Sequence, residues 1–321
     1  KVASEHYKAL AAINDLNVLL MAPVMLRNKL IVIDDIERKH NKLGIDEVLG
    51  FIDEYSKEHS SRFVLVLNDD QLSTSDDQKK LWATFREKVI DQEIKLSTSA
   101  AEAFSIAIRL IPSKYDEAIK QASTICSLTN IRVITKVIKV ANQILAGRDL
   151  EEAIQTRVVP SIVLFSAIHY RGMDDGPDFK FVLNVGNPNW AEFVKDKNDE
   201  PTPEEKREGG WRMLIHELGI YGCDEFEKQL VDFLESGLFE ATSIGAVIDR
   251  YVAESEAMKA REAAHNFLKR VFWDHRVDEA QLVAEAATLS GISRHLDPFV
   301  ATELQSVLGK LPGGEVIGDA I

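Results

Sequence analysis

The chain has 321 residues, of which 45% are hydrophobic and 28% charged, and a formal net charge of −14. This is the composition of a soluble globular protein with room for about two domains. The acidic balance argues against a chain that broadly coats nucleic acid or anionic membrane, while leaving room for a local basic patch. Two cysteines, Cys126 and Cys223, are too few for a disulfide framework and predict a reducing, cytoplasmic setting. No apolar run reaches the ~18 residues of a membrane span, so no membrane partner is expected. No signal-peptide pattern is evident. The first residue is Lys1, which predicts further residues upstream.

Residues 3–20 carry Ala, Leu and Ile at helical spacing, and Pro23 ends that pattern. Leu30 to Asp34 runs four apolar residues into the pair Asp34-Asp35. Such a β-branched run predicts a strand buried on both faces, as in a parallel sheet. After a polar connection, Ile45, Val48, Leu49 and Ile52 set one apolar stripe on a helix over 45–58. Phe63 to Leu67 is a second buried strand, ending in Asn68-Asp69-Asp70. A loop over 73–78, a helix over 78–89 with Leu81, Trp82, Phe85 and Val89, and a short third strand at Glu93–Leu96 follow. Strand–helix–strand–helix–strand within about 70 residues is the signature of a parallel α/β sheet.

Beyond residue 97 the pattern is helical. Helices are expected over 99–110 and 114–127. A long one follows, capped by Asn130, with an apolar face from Ile131 to Leu145 and Gly147 at its end. An apolar stretch over 151–170 is interrupted by Pro160. Residues 172–210 are rich in Gly, Pro, Asp, Asn and Lys, which predicts a long surface insertion. Helices resume over 211–219, 224–235, 243–270, 279–290 and 298–308, and a glycine-containing tail from Pro312 is expected to fray. The expected layout is α/β then all-α: 1–97 a partial sheet core, 98–150 a helical lid, 151–321 a helical C-terminal domain.

The chemistry concentrates at the strand ends. Carboxylates at the C-terminal end of a parallel strand stand where open α/β sheets bind ligands. Asp34 is placed to hold Mg²⁺ through water, and Asp35 to orient or deprotonate an attacking water. The same pair equally reads as a cap for the next helix. Asn68 would face the same crevice if its strand lies beside the first. It can hold a water without cancelling a metal's charge, or simply make a turn. Arg86 and Lys88, between the helix and the third strand, suit an arginine finger reaching a neighbouring subunit's nucleotide, or a solvated helix end. Arg132, in the first turn of the long helix, shares its polar face with Lys136 and Lys139. His216-Glu217 lacks the second histidine of a zinc helix, because position 220 is Ile220. Trp211, Phe272 and Trp273 read as core anchors, and Cys126 as a small buried residue.

Ile-Val-Ile-Asp-Asp-Ile-Glu-Arg at 31–38, the strand Phe63 to Leu67, Glu-Lys-Val-Ile-Asp at 87–91 and Asn130-Ile-Arg132 together resemble the KAP group of P-loop NTPases, relatives of the STAND and AAA-type ATPases. The likeness covers residues 25–147. It implies a P-loop NTPase sheet followed by a helical lid, with ATP and Mg²⁺ as cofactors. Asp34 would be the metal aspartate, Asp35 the water-activating acid, Asn68 the first sensor and Arg132 the lid's second sensor. It also implies a homo-oligomer, a protein effector and a setting in bacterial antiviral defence. Nucleic acid is not indicated.

No G-x-x-x-x-G-K-[ST] occurs in the 321 residues, so the loop that cradles phosphates is not among them. In the related sheet, the strand before that loop lies between the sensor strand and the last one. Without it, strand 93–96 has no neighbour beside 63–67 and bare edges remain. Upstream sequence is therefore expected to supply a strand and the phosphate loop. The alternative is a degenerate NTPase fold serving as a scaffold.

Overall fold

The computed structural model describes residues 23–40, 42–68, 76–186, 202–274 and 276–321. The expected helix at 3–20, Asp69-Asp70, the first part of the loop at 73–78 and the middle of the 172–210 stretch lie outside them. The chain forms two compact units, Lys1–Leu96 and Ser97–Ile321.

In the first unit β1 (Leu30–Asp34) and β2 (Arg62–Val66) pair in parallel, with Leu30 opposite Arg62 and Asp34 opposite Val66. Between them run a 3-10 turn at Ile36–Arg38 and α1 (Ile45–His59). A second helix, α2 (Asp76–Val89), follows β2. Strand periodicity divides the sheet's side chains. Ile33, Phe63 and Leu65 pack on a small core of Ile36, Ile45, Leu49, Ile52 and Trp82. The alternate residues look outward: Leu30 is 62% and Val32 60% exposed, and Val64 and Val66 are exposed too. The expectation of burial on both faces is therefore corrected, because among the described residues helices cover only one face. The expected third strand at Glu93–Leu96 is also absent. The segment forms no ladder, and Ile94 and Leu96 stand 81% and 90% exposed. A strand needs a bonded neighbour, and no described residue offers one.

The second unit is helical. It comprises α3 (Ala100–Leu110), α4 (Asp116–Ile125), α5 (Ile131–Ile144), α6 (Glu152–His169), α7 (Phe179–Leu183) and α8 (Pro203–Glu217). It continues through α9 (Glu225–Ser236), α10 (Ala241–Trp273), α11 (Glu279–Ser290), α12 (Pro298–Leu308) and α13 (Glu315–Ala320). Side chains of Ser99, Asn130, Thr202, Asp224 and Asp297 accept from first-turn N–H groups and fix where α3, α5, α8, α9 and α12 begin.

One continuous core runs from Ala103 to Ile248. It crosses residue 150, where a lid and a C-terminal domain were expected to part. At its centre is α6, whose Ile162, Val163, Leu164 and Phe165 have no exposed surface. Pro160 does not interrupt that helix but lies inside it. An interior proline costs about 3 kcal/mol, which burial of a few neighbouring side chains at about 1.5–3 kcal/mol each offsets. A second, smaller core joins Ala264, Phe267 and Leu268 of α10 to α11 and α12. The tail expected to fray instead closes this core as α13, with Gly318 buried. Similarly, α8 starts at Pro203, well inside the expected insertion, with Thr202 and Glu205 forming a capping box. Among the described residues no helix is long and apolar enough to cross a membrane.

Candidate functional site

The candidate site is the C-terminal tip of the two-stranded sheet. Asp35 N–H donates to Val66 O at 3.1 Å, the last rung of the ladder, and lies 2.9 Å from Asp34 Oδ1. Asp35 itself is left-handed, at φ 56° and ψ 40°. Aspartate tolerates that region better than most residues. The chain thereby turns sharply off the strand, Ile36 plugs into the core, and the Asp35 carboxylate remains in solvent. The turn closes with Arg38 N–H to Asp35 O at 2.9 Å and Lys39 N–H to Ile36 O at 3.0 Å.

Parallel register places Asn68 at this same tip. Val66 is opposite Asp34, and Asn68 follows two residues later. Leu67 packs on the core while Asn68 is exposed, so alternation continues and Asn68 falls on the face of Val66 and Asp34. Asp34, Asp35 and Asn68 thus gather at one strand end.

Arg38, four residues beyond Asp34, joins this tip. Arg38 Nη1 lies 3.4 Å from Asp35 Oδ2, an i,i+3 pair that the turn itself brings together. Both are well exposed, so the pair orients more than it stabilises. Glu37 Oε2, next to it, is occluded and has no hydrogen-bond partner among the described residues. No group of three or more His, Cys, Asp or Glu close enough to hold a metal occurs among the described residues. Asp34, exposed at the strand end, offers the single carboxylate that a Mg²⁺ ion held mainly by waters and phosphate oxygens would need.

The other two expected residues lie elsewhere. Arg86, in the last turn of α2, pairs with Glu93 of its own chain, so a finger role requires that pair to open. Arg132 belongs to the second unit, exposed in the first turn of α5, where its N–H donates to Asn130 Oδ1 at 3.0 Å.

The second unit holds a buried charge cluster that sequence reading missed. Glu227 is fully buried. Its carboxylate accepts from Arg157 Nη1 at 2.6 Å and Nη2 at 3.1 Å, from Ser161 Oγ at 2.7 Å and from Asp224 N–H at 2.9 Å. Arg157 also reaches Asp224 at 3.1 Å and lies 5.1 Å from the centroid of the Tyr251 ring. Burial opposes the charge on Arg157, but Glu227, Tyr251 and Asp224 outweigh it and push its pKa up. With every oxygen of Glu227 met, this is a clamp joining α6, α9 and α10 rather than a reactive centre. Cys126 and Cys223 are equally quiet, since burial pushes both thiols up to about 12.

No family model, curated protein or solved structure matches the chain. The class defined by fold and site is accordingly coarse: a mostly helical protein with a small parallel α/β unit presenting two carboxylates and an amide at one strand end.

Proposed function

We propose that the chain is an ATP-binding and hydrolysing module of the P-loop NTPase class, acting in the cytoplasm as an oligomeric nucleotide switch with a protein effector, in the manner of KAP-like defence ATPases. The observation that supports this is the parallel register bringing Asp34, Asp35 and Asn68 to the same end of the sheet, the end at which such sheets bind ligands. Asp34 would hold Mg²⁺ through water, and the ion neutralises phosphate charge when bound. Asp35 accepts the proton of the attacking water. Asn68 holds that water by its amide. Arg86, released from Glu93, would stabilise charge across a subunit boundary. Arg132 would contact the phosphates. Among the described residues the sheet has an exposed outer face and no third strand, which accords with a further strand and a phosphate loop supplied by sequence outside them.

The test is phosphate release from ATP by the full open reading frame. Asp35→Asn is expected to slow it about 100-fold or more, the contribution of a general base. An unchanged rate removes Asp35 from the chemistry. Arg86→Ala should slow only the assembled oligomer; an equal loss in a monomer rejects the finger. A second reading, a degenerate scaffold, is favoured by the absence of G-x-x-x-x-G-K-[ST] from the 321 residues. It predicts no turnover from the full reading frame.

A further inference from the structure

One face of the second unit is basic, against the chain's net charge of −14. Arg132, Lys136 and Lys139 are all exposed on α5. Spacings of four and three residues put them on one side of the helix, over about 10 Å. The end of α6 lies against that side. Lys136 Nζ is 4.6 Å from the centroid of the Tyr170 ring. At Gly172 a Cβ would come within 2.7 Å of Val133 Cγ1, so glycine is what permits the approach. Arg171, between Tyr170 and Gly172, is left-handed at φ 52° and exposed. Among the described residues Arg132, Lys136, Lys139 and Arg171 make no ion pair. Asp175, close by in sequence, is 3.5 Å from Arg207 instead.

We propose that this face binds single-stranded nucleic acid. Four exposed cations that make no ion pair among the described residues suit a partner carrying regularly repeated negative charge, whose counterions are released on contact. An acidic protein helix would satisfy the cations but has no use for the half-buried Tyr170 ring set among them. A single strand has phosphates for the cations, and a base stacking on Tyr170 takes the ring face that Lys136 now covers, which frees that ammonium for a phosphate. The acidic remainder of the surface repels polyanions, which confines the strand to this face.

The experiment is fluorescence anisotropy of labelled DNA and RNA strands of about 12 nucleotides, within the length such surfaces cover, added to the full chain. Saturable binding is expected, with a slope of log affinity on log salt of about −2 to −3 for three or four phosphates. The variant Lys136→Glu/Lys139→Glu/Arg171→Glu, which spares Arg132 and hence the proposed ATP contacts, should lose affinity about tenfold or more. A control, Lys228→Glu/Lys269→Glu/Lys310→Glu, has the same net charge and should retain it. Tyr170→Leu should weaken strand binding about tenfold and leave binding of polyglutamate unchanged. Circular dichroism checks that each variant is folded. Preference between the DNA and RNA arms names the strand. No saturable binding, or equal loss in the control, overturns the proposal. Polyglutamate competing as well as the strand, with Tyr170→Leu silent, also overturns it and assigns the face to an acidic protein.

Discussion

Glu227 has no exposed surface, and its partner Arg157 lies 70 residues earlier. Removing one member of such a pair leaves the other charged and uncompensated. Arg157→Met is therefore expected to cost about 3 kcal/mol or more, read as a lower urea midpoint at neutral pH. Arg157→Met/Glu227→Leu should recover part of the loss; a double variant no better than the single would show that packing, not charge, is at stake. Asp224 extends the argument to acid. Burial raises its pKa, but the Tyr251 hydroxyl, the Phe226 N–H and Arg157 outweigh burial and hold it below the ordinary 3.8. A lowered folded value contributes stability that is full above the ordinary aspartate range and lost as pH falls through the folded value. The urea midpoint should accordingly drop below about pH 4, and Asp224→Asn should flatten that limb. The Asp224–Glu227 capping box is a local pattern, but nothing local links it to residues 157 and 251. Asp34 and Asp35 were legible because a strand tip is a local feature. Arg38 stood in the same motif, and only the turn geometry gave it a partner.

Helix starts were the most legible elements, since Ser99, Asn130 and Asp297 act within a few residues of themselves. The errors have common causes. Pro160 predicts an interruption of the apolar stretch 151–170, yet surrounding burial holds one helix through it. The segment at 93–96 has the alternation of a strand but no described neighbour to bond. The apolar run of β1 overstated its burial, because composition cannot say whether a second layer is present. The helix expected over 243–270 is α10, and its 33 residues serve both cores of the second unit. Its middle, from Ala253 to Lys259, lies between the buried sets that belong to each. Ser255→Pro would remove one helical hydrogen bond and crowd the preceding turn, at a cost of about 3 kcal/mol. Hydrogen exchange should then show α11 to α13 losing protection before α3 to α6. Simultaneous loss would mean that the cores are coupled by something other than this helix.

For the whole molecule, the division at Leu96 and Ser97 falls in a stretch from Asp91 to Ser99 without regular structure. Exposed chain of that kind is where proteases cut first. Limited digestion should open 91–99 early and leave a folded fragment near 97–321, because that unit contains two cores of its own. Survival of the intact chain after the fragment's own loops are cut would contradict this. Among its described residues the first unit has only six buried hydrophobic side chains and an apolar sheet face in water, and it should lose its protease resistance once released. The general division into an α/β part followed by a helical part was visible in the switch of hydrophobic period from two to 3.6. The merging of the expected lid with the helices that follow was not, since shared burial leaves no mark on periodicity.

An α-helix of 33 residues is about 50 Å long. It works as an axle rather than a tether. Tilting such a rod by about 5° at one end sweeps the other through about 4 Å. Small rearrangements around Ile244 and Ile248 would thus arrive magnified at Phe267 and beyond, making the end of the chain the natural pointer of the second unit.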